Sequence, residues 1–113
     1  MVVQVETVGA VARIDAMAAV PGVDVVCVGP QDLSISLGIP GEFDDPRFVE
    51  AVSHVIERTV AAGKAAGMVE RVAGRFERWH GVGARFMACN TDLNMIGTAA
   101  RADVAALRAL TQA

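Results

Sequence analysis

The segment Val23-Asp24-Val25-Val26-Cys27-Val28, held between Pro21-Gly22 and Gly29-Pro30, most restricts what this chain can become. β-Branched residues favour extended backbone, and a run this apolar reads as a strand buried on both faces. Such strands belong to parallel sheets, whose neighbours are joined by long crossovers that are usually helices. The rest of the sequence has the composition to supply them.

Three further runs read as strands, at 2–6, 65–69 and 85–89, and helical periodicity follows each of the four. A helix over 8–20 carries Val11, Ile14, Ala18 and Ala19 on one stripe and stops at Pro21-Gly22. After Gly29-Pro30, Asp32 suits the N-cap of a short helix through Ser36. Asp45 and Pro46 have the cap and first-turn chemistry of a helix over 46–62, with Phe48, Val49, Val52, Val55, Ile56 and Val60 as its buried stripe. A helix over 72–80 is closed by Gly81 and Gly83. The last covers 93–110, with Asp92 as N-cap and Ile96, Val104, Leu107 and Leu110 facing inward.

Four strand–helix units in succession predict an α/β fold with right-handed parallel crossovers. Such a sheet is either an open, doubly wound domain or half of a (β/α)₈ TIM barrel of about 250 residues. With 113 residues and a strand beginning at residue 2, the chain fits one half-barrel unit over 1–113, a fragment of the closed fold. Half a barrel leaves two strand edges and an apolar inner face to be covered, which predicts a homo-oligomer or a separate N-terminal half.

Charge narrows the functions. Ten basic residues stand against 13 acidic ones, a net charge of -3, which provides no electrostatic footprint for nucleic acid. No apolar stretch approaches the roughly 20 residues of a membrane span, and residues 1–4 lack the basic start of a signal peptide. A cytoplasmic chain is expected. Cys27 and Cys89 sit in apolar runs and read as buried free thiols, while His54 and His80 lie too far from them in sequence for a zinc site.

Strand alternation puts Gln4 and Glu6 on one face, opposite Val3 and Val5. An amide and a carboxylate at the C-terminal end of a parallel strand suit a barrel's catalytic rim, although Glu6 could equally cap the next helix. Gly29-Pro30 turns sharply after the second strand and frees the amides of Gln31 and Asp32 for an anion. Adjacent strands lie about 4.8 Å apart, so Glu6 and Asp32 can converge on one cation. Two carboxylates, with water and substrate oxygens completing the shell, suit Mg²⁺ or Mn²⁺. His54 and His80 read as surface or packing residues. Ser34 and Ser36 have no His partner in sight, and no phosphate-binding glycine fingerprint is present.

Gln4-Val5-Glu6-Thr7 and Pro21-Gly22-Val23-Asp24 resemble the C-terminal half of the HpcH/HpaI aldolase family. Gly29-Pro30-Gln31-Asp32-Leu33-Ser34-Ile35-Ser36-Leu37-Gly38 is similar to that family's second metal-ligand loop. Gly63-Lys64-Ala65-Ala66-Gly67 and Gly83-Ala84-Arg85-Phe86 continue the likeness over nearly the whole chain. The 2-keto-3-deoxy-sugar-acid and 4-hydroxy-2-oxoheptanedioate aldolases look nearer than the citrate lyase β subunits. The resemblance implies a barrel enzyme that uses a divalent metal to cleave 2-keto-4-hydroxy acids to pyruvate and an aldehyde. It implies Glu6 and Asp32 as metal ligands, Gln4 as a substrate-contacting amide, and Gln31 and Asp32 as backbone donors to the pyruvate carboxylate. Val69 matches the family's apolar residue against the substrate.

In that family the general-base His with its Asp partner, and the Arg that polarises the keto group, belong to the N-terminal half. No catalytic residue is therefore expected within these 113 residues, and the fragment alone should be inactive. Glu70-Arg71 departs from the family's small or apolar residues, a charged pair that either alters the pocket rim or reflects a decayed sequence. Two other readings stay open: a non-catalytic assembly module pairing through its half-barrel face, and an open flavodoxin-like sheet binding a small anion.

Overall fold

The structure, a computed structural model, describes residues 1–71 and 73–111. Strands β1 (Val2–Val5), β2 (Val25–Val28), β3 (Ala65–Glu70) and β4 (Phe86–Cys89) form one parallel sheet in the order β1-β2-β3-β4. Gln4 pairs with Cys27 and Cys27 with Gly67, while Val5 pairs with Val28 and Val28 with Met68. A strand order that follows the chain without reversal has no topological switch point. With crossovers of one hand it stacks every helix on the same side of the sheet, as in a barrel and not as in a doubly wound domain.

The connecting helices are α1 (Val8–Val11), α2 (Ile14–Ala18), α3 (Pro30–Ser36), α4 (Pro46–Ala61), α5 (Ala73–Val82) and α6 (Asp92–Thr111). The single helix expected over 8–20 is two. Arg13, at φ -112° and ψ 16°, leaves the helical region, and only the second piece buries residues, Ile14 and Ala18. α4 follows the local rules closely: the Asp45 carboxylate accepts from the Arg47 amide at 2.8 Å and Pro46 occupies the first turn. Its Phe48, Val52, Val55 and Ile56 are buried with Val5, Val26, Val28 and Met68 of the sheet. Trp79 of α5 closes this core, its ring edge-on to Phe48 at 6.4 Å. Gly81 lies inside α5, and Gly83, at φ +127°, ends it, because only a residue without Cβ adopts that conformation freely. Val72, the expected start of this helix, lies outside the described residues.

Two sequence expectations fail at the far edge of the sheet. None of the described α6 residues is buried, and the stripe expected to face inward is exposed: Ile96 is 68% accessible, Val104 45%, Leu107 64% and Leu110 77%. Amphipathic periodicity reports that a helix has a face to bury, not that the same chain supplies the surface. Cys89, expected to be buried, is exposed as well, since β4 has a neighbour on one side only. Cys27 is buried as expected, and desolvation pushes its thiol up to about 11. Iodoacetamide at pH 8 should therefore alkylate Cys89 in the native protein and leave Cys27 unmodified, as peptide mass mapping will read. No helix among the described residues is long and apolar enough to cross a membrane.

Candidate functional site

The C-terminal ends of the strands carry the polar chemistry. The Gly29 amide donates to the Val5 carbonyl at 3.0 Å, extending the β1–β2 ladder by one step and holding Glu6 beside the turn after β2. Gly29 then serves as N-cap of α3, and Pro30 takes its first position. Asp32 thus stands in the first turn of α3 and not at its cap, a correction to the sequence reading. A glycine cap has no side chain to satisfy the first-turn N–H groups, so the Gln31 and Asp32 amides are left for another acceptor.

Gly29 is the point of closest approach. A Cβ built there would lie 2.7 Å from Gln4 Nε2, 2.7 Å from Glu6 Cγ and 2.7 Å from Glu6 Oε1. The alternation read from the sequence is therefore present: Gln4 and Glu6 project from one face and meet over the same backbone. Neither side chain could reach this position if residue 29 carried even a methyl group.

A cleft of about 290 Å³ is lined by Gln4 of β1, by Gly29, Pro30, Gln31 and Asp32 at the start of α3, by Val69 and Glu70 of β3, and by Phe43, Arg71 and Arg75. Four of the five sequence-named site residues, Gln4, Gln31, Asp32 and Val69, line this cleft, and the fifth, Glu6, packs against its Gly29. His54 and His80 are exposed on α4 and α5 and are not among the lining residues. Ser34 and Ser36 have structural work. The buried Ser34 hydroxyl donates to the Gln31 carbonyl at 2.7 Å and accepts from the Gly41 amide at 3.0 Å, while Ser36 Oγ accepts from the Val8 amide at 3.1 Å.

The rest of the lining was only partly legible. Glu70 is buried, and its Oε1 accepts from the Arg71 amide at 2.8 Å. Arg75 Nη1 lies 3.9 Å from that carboxylate, its Nη2 donates to Asp44 Oδ2 at 3.0 Å, and its guanidinium sits 5.3 Å from the Phe43 ring centroid. Arg78 donates to the other Asp44 oxygen at 2.9 Å. Hydrogen bonds from Arg75, and then from Arg78, hold the Asp44 carboxyl below its ordinary range. Asp44 and Arg75 are 31 residues apart, so no local pattern announced Phe43 or Arg75 as cleft residues.

Among the described residues no three His, Cys, Asp or Glu side chains gather as a metal-binding group. Glu6 and Asp32 offer carboxylate oxygens at the Gly29 turn, and no third such side chain gathers with them among the described residues. That set fits a hard divalent ion that keeps several waters and does not fit zinc, which takes three or four N, S or O protein ligands.

The family model of HpcH/HpaI aldolase/citrate lyase matches residues 1–99. The hydroxypyruvate/pyruvate aldolase of Delftia acidovorans is 39% identical over 116 residues, covering 100% of this chain and 42% of the relative. A 5-keto-4-deoxy-D-glucarate aldolase of an Enterobacter species is 38% identical over 102 residues, covering 88% of this chain and 39% of the relative. Among solved structures, an HpcH/HpaI aldolase/citrate lyase family protein from Burkholderia cenocepacia superposes with a TM-score of 0.89 at 31% identity, over 95% of this chain and 42% of that one. Citrate synthase SbnG gives a TM-score of 0.90 at 28% identity, over 99% of this chain and 46% of that one. This chain thus spans well under half the length of the relatives it matches, and its strands and helices correspond to half of their fold.

Proposed function

The chain belongs to the HpcH/HpaI aldolase/citrate lyase family, and on that premise we propose that it forms the metal- and pyruvate-holding half of a carbon–carbon lyase. The lyase cleaves 2-keto-4-hydroxy acids to pyruvate and an aldehyde, in the cytoplasm. The observation that carries this reading is the crowding at Gly29, where Gln4 and Glu6 meet the turn that bears Gln31 and Asp32.

Glu6 and Asp32 would hold Mg²⁺ or Mn²⁺. Such an ion acts as a Lewis acid toward the negative charge that develops when the carbon–carbon bond breaks. The protein's own groups do the positioning. The Gln31 and Asp32 backbone N–H groups, in the first turn of α3, donate to the keto acid's carboxylate, and the Gln4 side-chain amide donates to it from β1. Val69 and Phe43 provide an apolar wall that limits water around the reacting carbons. With no histidine on the cleft wall, these 113 residues lack a placed general base. Turnover by the isolated chain should be slower than in an intact barrel by at least the ~10²–10⁴-fold that acid–base catalysis supplies.

Calorimetric titration with pyruvate, in Mn²⁺ and again in EDTA, tests the reading. Pyruvate should bind only with the cation present; equal affinity in both buffers would refute it. Gly29→Ala offers an independent check. Its methyl must displace Gln4 and Glu6, so Mn²⁺ affinity should fall by about 10–100-fold, the range seen when a ligand's supporting contact is lost. The far-UV circular dichroism should stay unchanged.

The exposed stripe of α6 favours a second reading, a module that pairs with another copy or with a separate half-barrel. Light scattering separates the cases: a monomer across the micromolar range argues against self-pairing.

A further inference from the structure

We propose that Asp44, which is not among the cleft-lining residues, is a positioning residue for the cation site: it neutralises Arg75 and keeps that guanidinium from competing with Mg²⁺ or Mn²⁺ for the cleft's carboxylates. The inference rests on the metal-holding reading of Glu6 and Asp32 and adds the group that keeps their site open to an ion.

A cleft that holds a divalent cation is opposed by any positive charge in its lining. Arg71 and Arg75 both line this one, together with Asp32. Arg71 is exposed, so water and salt screen its charge. Only 25% of the Arg75 side chain is exposed, and a partly buried charge is screened far less. Without another partner it would offer Asp32 two parallel N–H donors, the pairing a guanidinium prefers with a carboxylate. An arginine bound in that way occupies the oxygens that the cation needs.

The structure engages Arg75 elsewhere. Its Nη2 donates to Asp44 Oδ2 at 3.0 Å, its Nη1 lies 3.9 Å from Glu70 Oε1, and its guanidinium stands 5.3 Å from the Phe43 ring centroid. Asp44 is anchored in turn. Its Oδ1 accepts from Arg78 Nη1 at 2.9 Å, and the Arg78 guanidinium lies 5.7 Å from the ring centroid of the fully buried Trp79. Glu70 and Asp44 therefore balance Arg75 and Arg78, and the group of four is neutral. Removing the Asp44 charge leaves it one unit positive beside the site of a doubly charged ion. Glu70, whose Oε1 also accepts from the Arg71 amide at 2.8 Å, carries one charge against two guanidinium groups.

Mn²⁺ affinity, read by electron paramagnetic resonance of the free ion at low ionic strength, tests the inference in the full 113-residue chain, Asp44→Asn, Arg75→Met and the double variant. Asp44→Asn should weaken binding by about three- to tenfold, the effect of one charge acting across a partly solvated cleft. That deficit should shrink as KCl is raised to about 0.5 M. Arg75→Met alone should bind Mn²⁺ at least as tightly as the unaltered chain, and the double variant should return to within about twofold of it. A purely structural role for Asp44 would leave the double variant as weak as D44N. Circular dichroism and thermal unfolding without metal check that each variant folds; if D44N does not, R75M alone decides. Unaltered affinity in D44N, a deficit that R75M fails to restore, or weaker binding by R75M itself overturns the inference and spares the metal-holding reading. Absence of Mn²⁺ binding by the unaltered chain overturns both.

Discussion

Glu6→Gln and Asp32→Asn should each lower Mn²⁺ affinity by more than about 100-fold, as measured by electron paramagnetic resonance of the free ion. Losing a contact that merely orients a ligand costs about 10–100-fold, and each of these substitutions removes a charged ligand outright. Among the described residues no third His, Cys, Asp or Glu side chain gathers with this pair, so neither loss has a neighbour to compensate it. The amides are nearly isosteric, so packing over Gly29 persists and thermal unfolding without metal should be unchanged. Retention of near-original affinity in both variants would remove the pair from any metal role and reduce the family likeness to shared ancestry.

Trp79→Ala is expected to cost about 3–5 kcal/mol of folding stability, read from urea denaturation followed by circular dichroism. The indole is fully buried, stacks edge-on to Phe48 at 6.4 Å, and ties α5 to α4 across the core. Phe48 in turn meets Phe43 at 5.4 Å, so the cavity left by the indole would loosen a cleft wall as well as the core. Leu107→Ala is the matched control. Leu107 is 64% exposed on α6, and its truncation should change stability by no more than about 0.5 kcal/mol. A large cost at Leu107 would show that α6 is covered in solution.

These predictions divide along the line between what was readable in the chain and what was not. The four strands could be read because β-branched clustering and period-two alternation are local properties, and so could the shared face of Gln4 and Glu6. The Asp45-Pro46 start of α4 was readable because a cap is made by residues two apart. Where the reading missed, a longer range decided. Arg13 breaks the first helix because Ile14 and Ala18 must turn toward the core. Asp32 lost the cap to Gly29, which the close approach of Gln4 and Glu6 requires to be glycine.

Alternation of extended and helical segments, with an apolar second strand, by itself determined a parallel α/β unit and the strand ends where its polar residues gather. Backbone chemistry acts over a few residues, and a sequence records it directly. Which apolar stripe is covered, which arginine is neutralised and which is left facing the cleft were decided only in three dimensions. Burial and ion pairing depend on the distance between groups remote in the chain: Asp44 pairs with Arg75 from 31 residues away, while Leu110 of α6 is left exposed by the described residues.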